Sequence, residues 1–122
     1  MIITRTPFRI SFFGGGTDYP DWFRENGGAT LATSIDKYCY LSVRYLTPFF
    51  ETKHRIVYSI VELSSRIEDI KHPVVRALLL EANSDKGFEI HHNGDLPARS
   101  GLGSSSSFTV GLLNALNSLE GR

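Results

Sequence analysis

Hydrophobic and polar positions roughly alternate at the start of this chain, and near its end they recur every three or four residues. Ile2 to Phe13 is rich in β-branched and aromatic residues with imperfect alternation, which predicts a strand, with Pro7 marking an edge position or a bulge. Gly14-Gly15-Gly16 ends it in a turn. Thr17 or Asp18 then caps a short helix over Tyr19 to Asn26, with Pro20 in its first turn and Gly27-Gly28 as its stop. Trp22 and Phe23 are expected to pack that helix onto the sheet. Residues Ala29 to Ile35 and Tyr38 to Leu46 read as two strands separated by Asp36-Lys37, a polar pair with some hairpin character. Arg55 to Ile60 is a further short strand, and Ser64 to Asp69 a loop or a single helical turn. From Pro73 the spacing of Val74, Ala77, Leu78 and Ala82 predicts an amphipathic helix that Asn83 to Gly87 terminates. Phe88 to His92 returns to strand character. Thr109, Leu112, Leu113, Leu116 and Leu119 place a last helix from about Ser104 to Gly121-Arg122.

This order is that of an α+β domain with helices packed on one face of a mixed sheet. At 122 residues the chain can bury one core, and no linker, repeat or low-complexity tract divides it. Hydrophobic residues make up 41% and charged residues 21%, an ordinary globular balance that argues against disorder. Thirteen basic and thirteen acidic residues cancel, so charge gives no reason to expect nucleic acid or a membrane surface as partner. The single cysteine, Cys39, lies among Tyr38, Tyr40 and Leu41 and reads as a buried, inert thiol. With no internal disulfide possible, no membrane-length apolar run and no signal pattern after Met1, the expected compartment is the cytoplasm.

Chemistry concentrates in Leu96-Pro97-Ala98-Arg99-Ser100-Gly101-Leu102-Gly103-Ser104-Ser105-Ser106-Ser107. Two glycines one residue apart let the backbone turn tightly and approach a ligand, and the helix behind them presents free N–H groups and its positive end. Such a terminus accepts phosphate, and serine hydroxyls add oxygen ligands for Mg²⁺. Ordinary loop and capping chemistry explains the same composition. Other phosphate loops fit worse: no Gly-Lys pair exists for a Walker A loop, and Ser106 stands where a dinucleotide fingerprint wants glycine. A Gly-x-Ser-x-Gly elbow is also missing.

A second polar cluster runs from Arg9 to Tyr19. Arg9 and Ser11 share one strand face, and Asp18 follows a glycine loop able to fold back toward them. The competing account makes Asp18 a helix cap and Arg9 a solvated charge. His91, His92 and Asp95 are metal-ligand types, but adjacent strand residues point to opposite faces, so structural histidines are expected. Arg5, Lys37, Arg44 and Arg99 are available to a substrate phosphate, with solvated surface charge as the commoner role.

Taken together, Arg9-Ile10-Ser11-Phe12-Phe13-Gly14-Gly15-Gly16-Thr17-Asp18-Tyr19 and Pro97-x-x-x-Gly101-Leu102-Gly103-Ser104-Ser105 resemble the amino-terminal domain of the GHMP kinase superfamily. The first run is most similar to the D-glycero-D-manno-heptose 7-phosphate kinase branch. The resemblance spans this whole chain but only the amino-terminal part of the family's length. It implies a ribosomal-protein-S5-like α+β fold, ATP and Mg²⁺ as cofactors, and a sugar kinase acting on the anomeric hydroxyl of a heptose 7-phosphate. Residue by residue, it implies that Pro97, Gly101, Leu102, Gly103, Ser104, Ser105 and Ser106 hold the nucleotide phosphates, with Ser105 meeting Mg²⁺. Arg9 would lie near the transferred phosphoryl group. Ser11, Gly15, Gly16, Thr17 and Asp18, together with Arg9, would line the sugar. Galactokinases typically carry Glu and His where this chain has Gly15 and Gly16, so galactose is not the expected substrate.

Phosphoryl transfer needs positioning and charge neutralisation, for which an arginine, a metal and a row of backbone N–H groups are suitable. The family's aspartate that orients the attacking hydroxyl would lie beyond Arg122, and nothing in the spacing of Asp18, Asp21 or Asp36 argues for that role. A non-catalytic nucleotide- or sugar-phosphate-binding module is therefore the competing expectation. So is a carboxy-terminal domain, or a dimer partner, covering exposed apolar surface.

Overall fold

The computed structural model describes residues 1–97 and 101–122. One five-stranded mixed sheet carries the fold in the order β1-β2-β5-β3-β4, formed by β1 (Ile2–Phe13), β2 (Leu31–Tyr45), β3 (His54–Val57), β4 (Val61–Ser64) and β5 (Phe88–Gly94). Among the described residues only β3 and β5 run parallel. Helices α1 (Pro20–Asn26), α2 (Pro73–Ala82) and α3 (Ser104–Glu120) complete the α+β class expected.

Alternation explains which face is buried. Cys39, Leu41 and Val43 of β2 and Phe88 and Ile90 of β5 point inward and join Val75 and Leu79 of α2 and Phe108, Leu112, Ala115 and Leu116 of α3 in one core. The residues between them face outward, where Glu89 bridges Arg44 at 2.9 Å and Arg55 at 3.3 Å across three strands. Burial raises the Glu89 carboxyl's pKa, yet these arginines and His91 outweigh it and leave the pKa lowered. Cys39 is buried, which pushes its thiol up to about 11 and agrees with an inert role.

Close packing sets α3 against the sheet. A Cβ on Gly111 would stand 2.9 Å from Thr6 Oγ1 and 3.2 Å from both Thr4 Oγ1 and Leu41 Cδ1. Both longer helices have clear ends: His72 Nδ1 accepts from the Val75 N–H at the start of α2, and left-handed Asn83 closes it.

Three expectations need correction. The two strands expected over residues 29–46 are one, Leu31–Tyr45, because Asp36-Lys37 makes a bulge: Pro7 pairs with Tyr38 and Arg9 with Ser34, so Ile35, Asp36 and Lys37 stand opposite Phe8 alone. The same irregularity is the bulge that Pro7 marks in β1. Residues 55–60 are not one strand either. β3 stops at Val57, the Tyr58 N–H donates to the Ile60 carbonyl, and the chain returns as β4. Finally, α1 buries none of its residues, so Trp22 and Phe23, 51% and 42% exposed, are not packed onto the sheet.

Candidate functional site

Strand β1 lies at the edge of the sheet, so groups on its outer side have no strand partner. At the bulge those groups bind the turn that precedes α3. The Arg9 N–H donates to the Leu102 carbonyl at 2.9 Å, and Ser107 Oγ donates to the Pro7 carbonyl at 2.9 Å. Two segments far apart in sequence thus meet at Arg9.

Gly101 and Gly103 hold φ of 77° and 76°, the left-handed region that disfavours other residues. Gly103 has a second reason to lack a side chain, since a Cβ there would stand 2.9 Å from Arg9 Cγ and 3.2 Å from Arg9 Nε. It is also the N-cap of α3, so neither Ser104 nor another serine caps the helix. The first intrahelical bond runs from the Ser107 N–H to the Gly103 carbonyl at 2.9 Å. Helix geometry leaves the N–H groups of Ser104, Ser105 and Ser106 without intrahelical partners, at the positive end of a 17-residue helix. Ser105 and Ser106 are exposed, Ser104 half-buried, and Pro97 exposed. Leu102 packs against the core cluster, which makes it an anchor for the turn. Ala98, Arg99 and Ser100 lie outside the described residues.

The glycine turn after β1 is built differently. Thr17 does not cap α1, whose N-cap is Tyr19 without a side-chain bond; its hydroxyl donates to the Gly14 carbonyl at 2.7 Å and lies 3.3 Å from the Ala29 carbonyl. Asp18 does not cap α1 either, and stays exposed. With Thr17 it lines an open hollow of about 370 Å³, together with Phe23, Gly28, Ala29 and Thr30. Ser11 is exposed beside Gly15, its Oγ 3.7 Å from where a Cβ would stand, and nothing lies within 4 Å of the corresponding point on Gly16. Among the described residues no hydrogen bond or ion pair joins Asp18 to Arg9.

Of the other candidate cations, Arg5 and Arg44 are engaged elsewhere. Arg5 stacks 4.5 Å from the Tyr38 ring centroid, Arg44 pairs with Glu89, and Lys37 is exposed in the bulge. His91 faces outward, 3.5 Å from Glu89, while His92 faces inward, edge-on to Phe108 at 5.1 Å, so the two point to opposite faces. Asp95 binds the Tyr38 backbone through both its carboxylate and its N–H. His72 stacks on Phe108 at 4.7 Å, and burial lowers the pKa of both His72 and His92.

Sequence reasoning missed Ser107 and Thr4. Both are buried, and the Thr4 hydroxyl donates to the Gly111 carbonyl at 3.2 Å. The available signal was their polar character on positions that face the core, beside Phe8 in β1 and Phe108 and Leu112 in α3.

For a magnesium ion the donor set is hard: hydroxyl oxygens of Ser105 and its neighbours, with no cluster of three or more His, Cys, Asp or Glu among the described residues. That fits an ion held chiefly by nucleotide phosphates and by one or two protein oxygens.

The family model for the GHMP kinases N terminal domain matches residues 58–122. The galactokinase of Pyrococcus furiosus is 33% identical over 119 residues, which is 97% of this chain and 34% of that protein. A D-glycero-D-manno-heptose 1-phosphate kinase from Bacteroides thetaiotaomicron superposes with a TM-score of 0.81 at 21% identity, covering 100% of this chain and 43% of its own. Lactococcus lactis galactokinase, solved with galactose, gives a TM-score of 0.70 at 26% identity, covering 98% of this chain and 33% of its own. The chain thus spans well under half the length of each of these relatives.

Proposed function

Because the chain belongs to the GHMP kinase family, as its match to the GHMP kinases N terminal domain shows, we propose that it is the nucleotide-binding part of a sugar kinase transferring the γ-phosphoryl group of Mg-ATP to the anomeric hydroxyl of a heptose 7-phosphate. The observation that carries this reading is the junction at Arg9. Its N–H binds the Leu102 carbonyl and its side chain lies against Gly103, so the two glycine-bearing motifs form one neighbourhood.

Each residue then has a physical task. The N–H groups of Ser104, Ser105 and Ser106, at the positive end of α3, receive phosphate oxygens, and Gly101 and Gly103 keep side chains out of the ligand's way. Leu102 anchors the glycine turn by packing against the core, and Pro97 is assigned to the nucleotide loop by its place in the motif. The Arg9 guanidinium neutralises charge that develops on the transferred group. Ser105 would hold Mg²⁺, which supplies charge neutralisation across the phosphates when bound. Thr17 and Asp18 line the hollow and Ser11 stands beside Gly15, so they offer hydroxyl and carboxylate partners for sugar hydroxyls next to the space that Gly15 and Gly16 leave free of side chains. That space is the argument for a heptose phosphate over galactose, since the Glu and His typical of galactokinases at these two positions are missing. The proton acceptor for the attacking hydroxyl is not assigned to any residue of this chain.

The test is a titration of the full-length protein with Mg-ATP. Ser105→Ala removes a hydroxyl from a charged ligand and should weaken binding about tenfold, and Gly103→Val, which displaces Arg9, should weaken it further. Equal affinity in the wild type and both variants would sink the phosphate-loop assignment. Turnover with heptose 7-phosphate, fucose, galactose and mevalonate then reads the substrate. Turnover of mevalonate alone overturns the sugar reading, and nucleotide binding without any turnover favours the non-catalytic module.

A further inference from the structure

Four serines follow Gly103, and the fold uses the last of them differently. Ser104, Ser105 and Ser106 lie at the open end of α3, but Ser107 is only 6% exposed and its hydroxyl donates to the Pro7 carbonyl at 2.9 Å. That carbonyl lies at the bulge where β1 changes register against β2. Two residues further on, the Arg9 N–H donates to the Leu102 carbonyl, while the Ser107 N–H donates to the Gly103 carbonyl, each at 2.9 Å. The contacts close a ring: Ser107 to Pro7, along β1 to Arg9, across to Leu102 and Gly103, and back to Ser107.

We infer that Ser107 is a positioning residue for phosphoryl transfer, its hydroxyl latching the first turn of α3 to the β1 bulge and so holding the Arg9 guanidinium in register with the phosphate turn. The inference rests on the kinase reading above. Arg9 is exposed, and its side chain is steadied by contact with Gly103, so its placement depends on the register between strand and helix. Pro7 is also exposed, so its carbonyl can be hydrated once the serine is gone. Loss of the latch therefore acts on position more than on stability, and misplacement by about 1 Å can cost on the order of a hundredfold in rate.

The structure supplies its own control. Thr4 Oγ1 donates to the Gly111 carbonyl at 3.2 Å, joining the same helix to the same strand further along α3, away from Arg9 and the turn. A purely structural latch would make the two hydroxyls equivalent.

In the full-length protein, Ser107→Ala is expected to lower kcat about tenfold or more while the KM for Mg-ATP changes less than about threefold. Thr4→Val should lower Tm but leave kcat unchanged. Because Ser107 acts through Arg9, the double variant Ser107→Ala/Arg9→Ala should turn over no more slowly than Arg9→Ala alone. Amide hydrogen exchange at Arg9 should quicken in Ser107→Ala and stay as in wild type in Thr4→Val. Ser107→Cys, which keeps the volume and weakens the donor, provides the same readings should the alanine variant not fold. Wild-type kcat together with wild-type Arg9 exchange in the Ser107 variants would overturn the latch, as would losses that multiply in the double variant. Failure of the kinase reading is seen separately, as absence of turnover in the wild type, and the Arg9 exchange rate then judges the latch alone.

Discussion

The two glycine-bearing turns look alike in sequence and are opposite in construction. In Gly14-Gly15-Gly16 the first glycine serves the backbone: φ is 87°, and a Cβ would stand 1.9 Å from the Ala29 carbonyl oxygen. Of its two neighbours, Gly15 has Ser11 Oγ at an ordinary contact distance of 3.7 Å from a Cβ position, and Gly16 faces open space. In Gly101-Leu102-Gly103 the last glycine makes room for a side chain, that of Arg9, and among the described residues nothing lies within 4 Å of a Cβ position on Gly101. The glycine pressed by the protein's own atoms, Gly14 or Gly103, is thus accompanied in each turn by glycines that no described atom crowds, although Gly101 is held to glycine by its left-handed φ. If a ligand excludes side chains here, Gly15 and Gly16 are where its demand would show apart from that of the fold.

That difference predicts an order of effects. Gly14→Ala combines a left-handed backbone with a collision against main chain that has no room to shift, and should destabilise by about 3 kcal/mol or more in urea unfolding. Gly103→Ala meets the same backbone penalty, but its neighbour is a flexible arginine. A loss of about 1 to 2 kcal/mol is expected, accompanied by weaker Mg-ATP binding because Arg9 is pushed aside. If Gly103→Ala proved as destabilising as Gly14→Ala, the contrast between backbone and side-chain use would fail.

Most elements were legible in the sequence because each depends on local pattern: the alternation of Cys39, Leu41 and Val43, Pro73 opening α2, Gly121 closing α3. What was misread depends on pairing. Asp36-Lys37 carries the composition of a turn, and whether such a pair makes a hairpin or a bulge is decided by the partner strand, which here offers only Phe8 opposite three residues. β4 carries little strand signal, because it is a short outer strand whose apolar residues Val61 and Leu63 face solvent, at 57% and 60% exposure. In the candidate site, residue types pointed to both motifs, but their meeting at Arg9 is made by one backbone bond and one van der Waals contact. Neither leaves a mark in residue spacing.

A smaller effect separates the interior behind the turn from the turn itself. Burial lowers the pKa of His72 against the opposing pull of Glu62, and lowers that of His92 with help from His72; both rings touch Phe108 in the first part of α3. Burial and Lys53 likewise lower His54, whose Nδ1 accepts from the Phe88 N–H. The unfolded chain takes up protons near its ordinary histidine pKa of 6.5, while the fold resists them until lower pH. Stability should thus be full above that value and decline as pH falls below it. Urea midpoints at pH 7.5 and 5.5 should show the drop, and it should shrink in His92→Phe. Equal midpoints would remove the histidines from the account of α3.

The smallest expected change in stability is also the most informative about the ligand. Gly16 has no atom within 4 Å of a Cβ position and no left-handed φ, so Gly16→Ala should leave Tm unchanged or raise it slightly, because alanine narrows the unfolded ensemble. The fold has no use for glycine there. If, as proposed, the sugar lies over Gly16 near Asp18 and the nucleotide at the start of α3, the same substitution should raise the KM for the sugar phosphate severalfold and leave Mg-ATP affinity alone. An unchanged sugar KM with unchanged Tm would mean that neither fold nor substrate needs Gly16. The sugar would then have to be sought away from the glycine turn, while the assignment of the phosphates to Gly101–Ser106 would stand untouched.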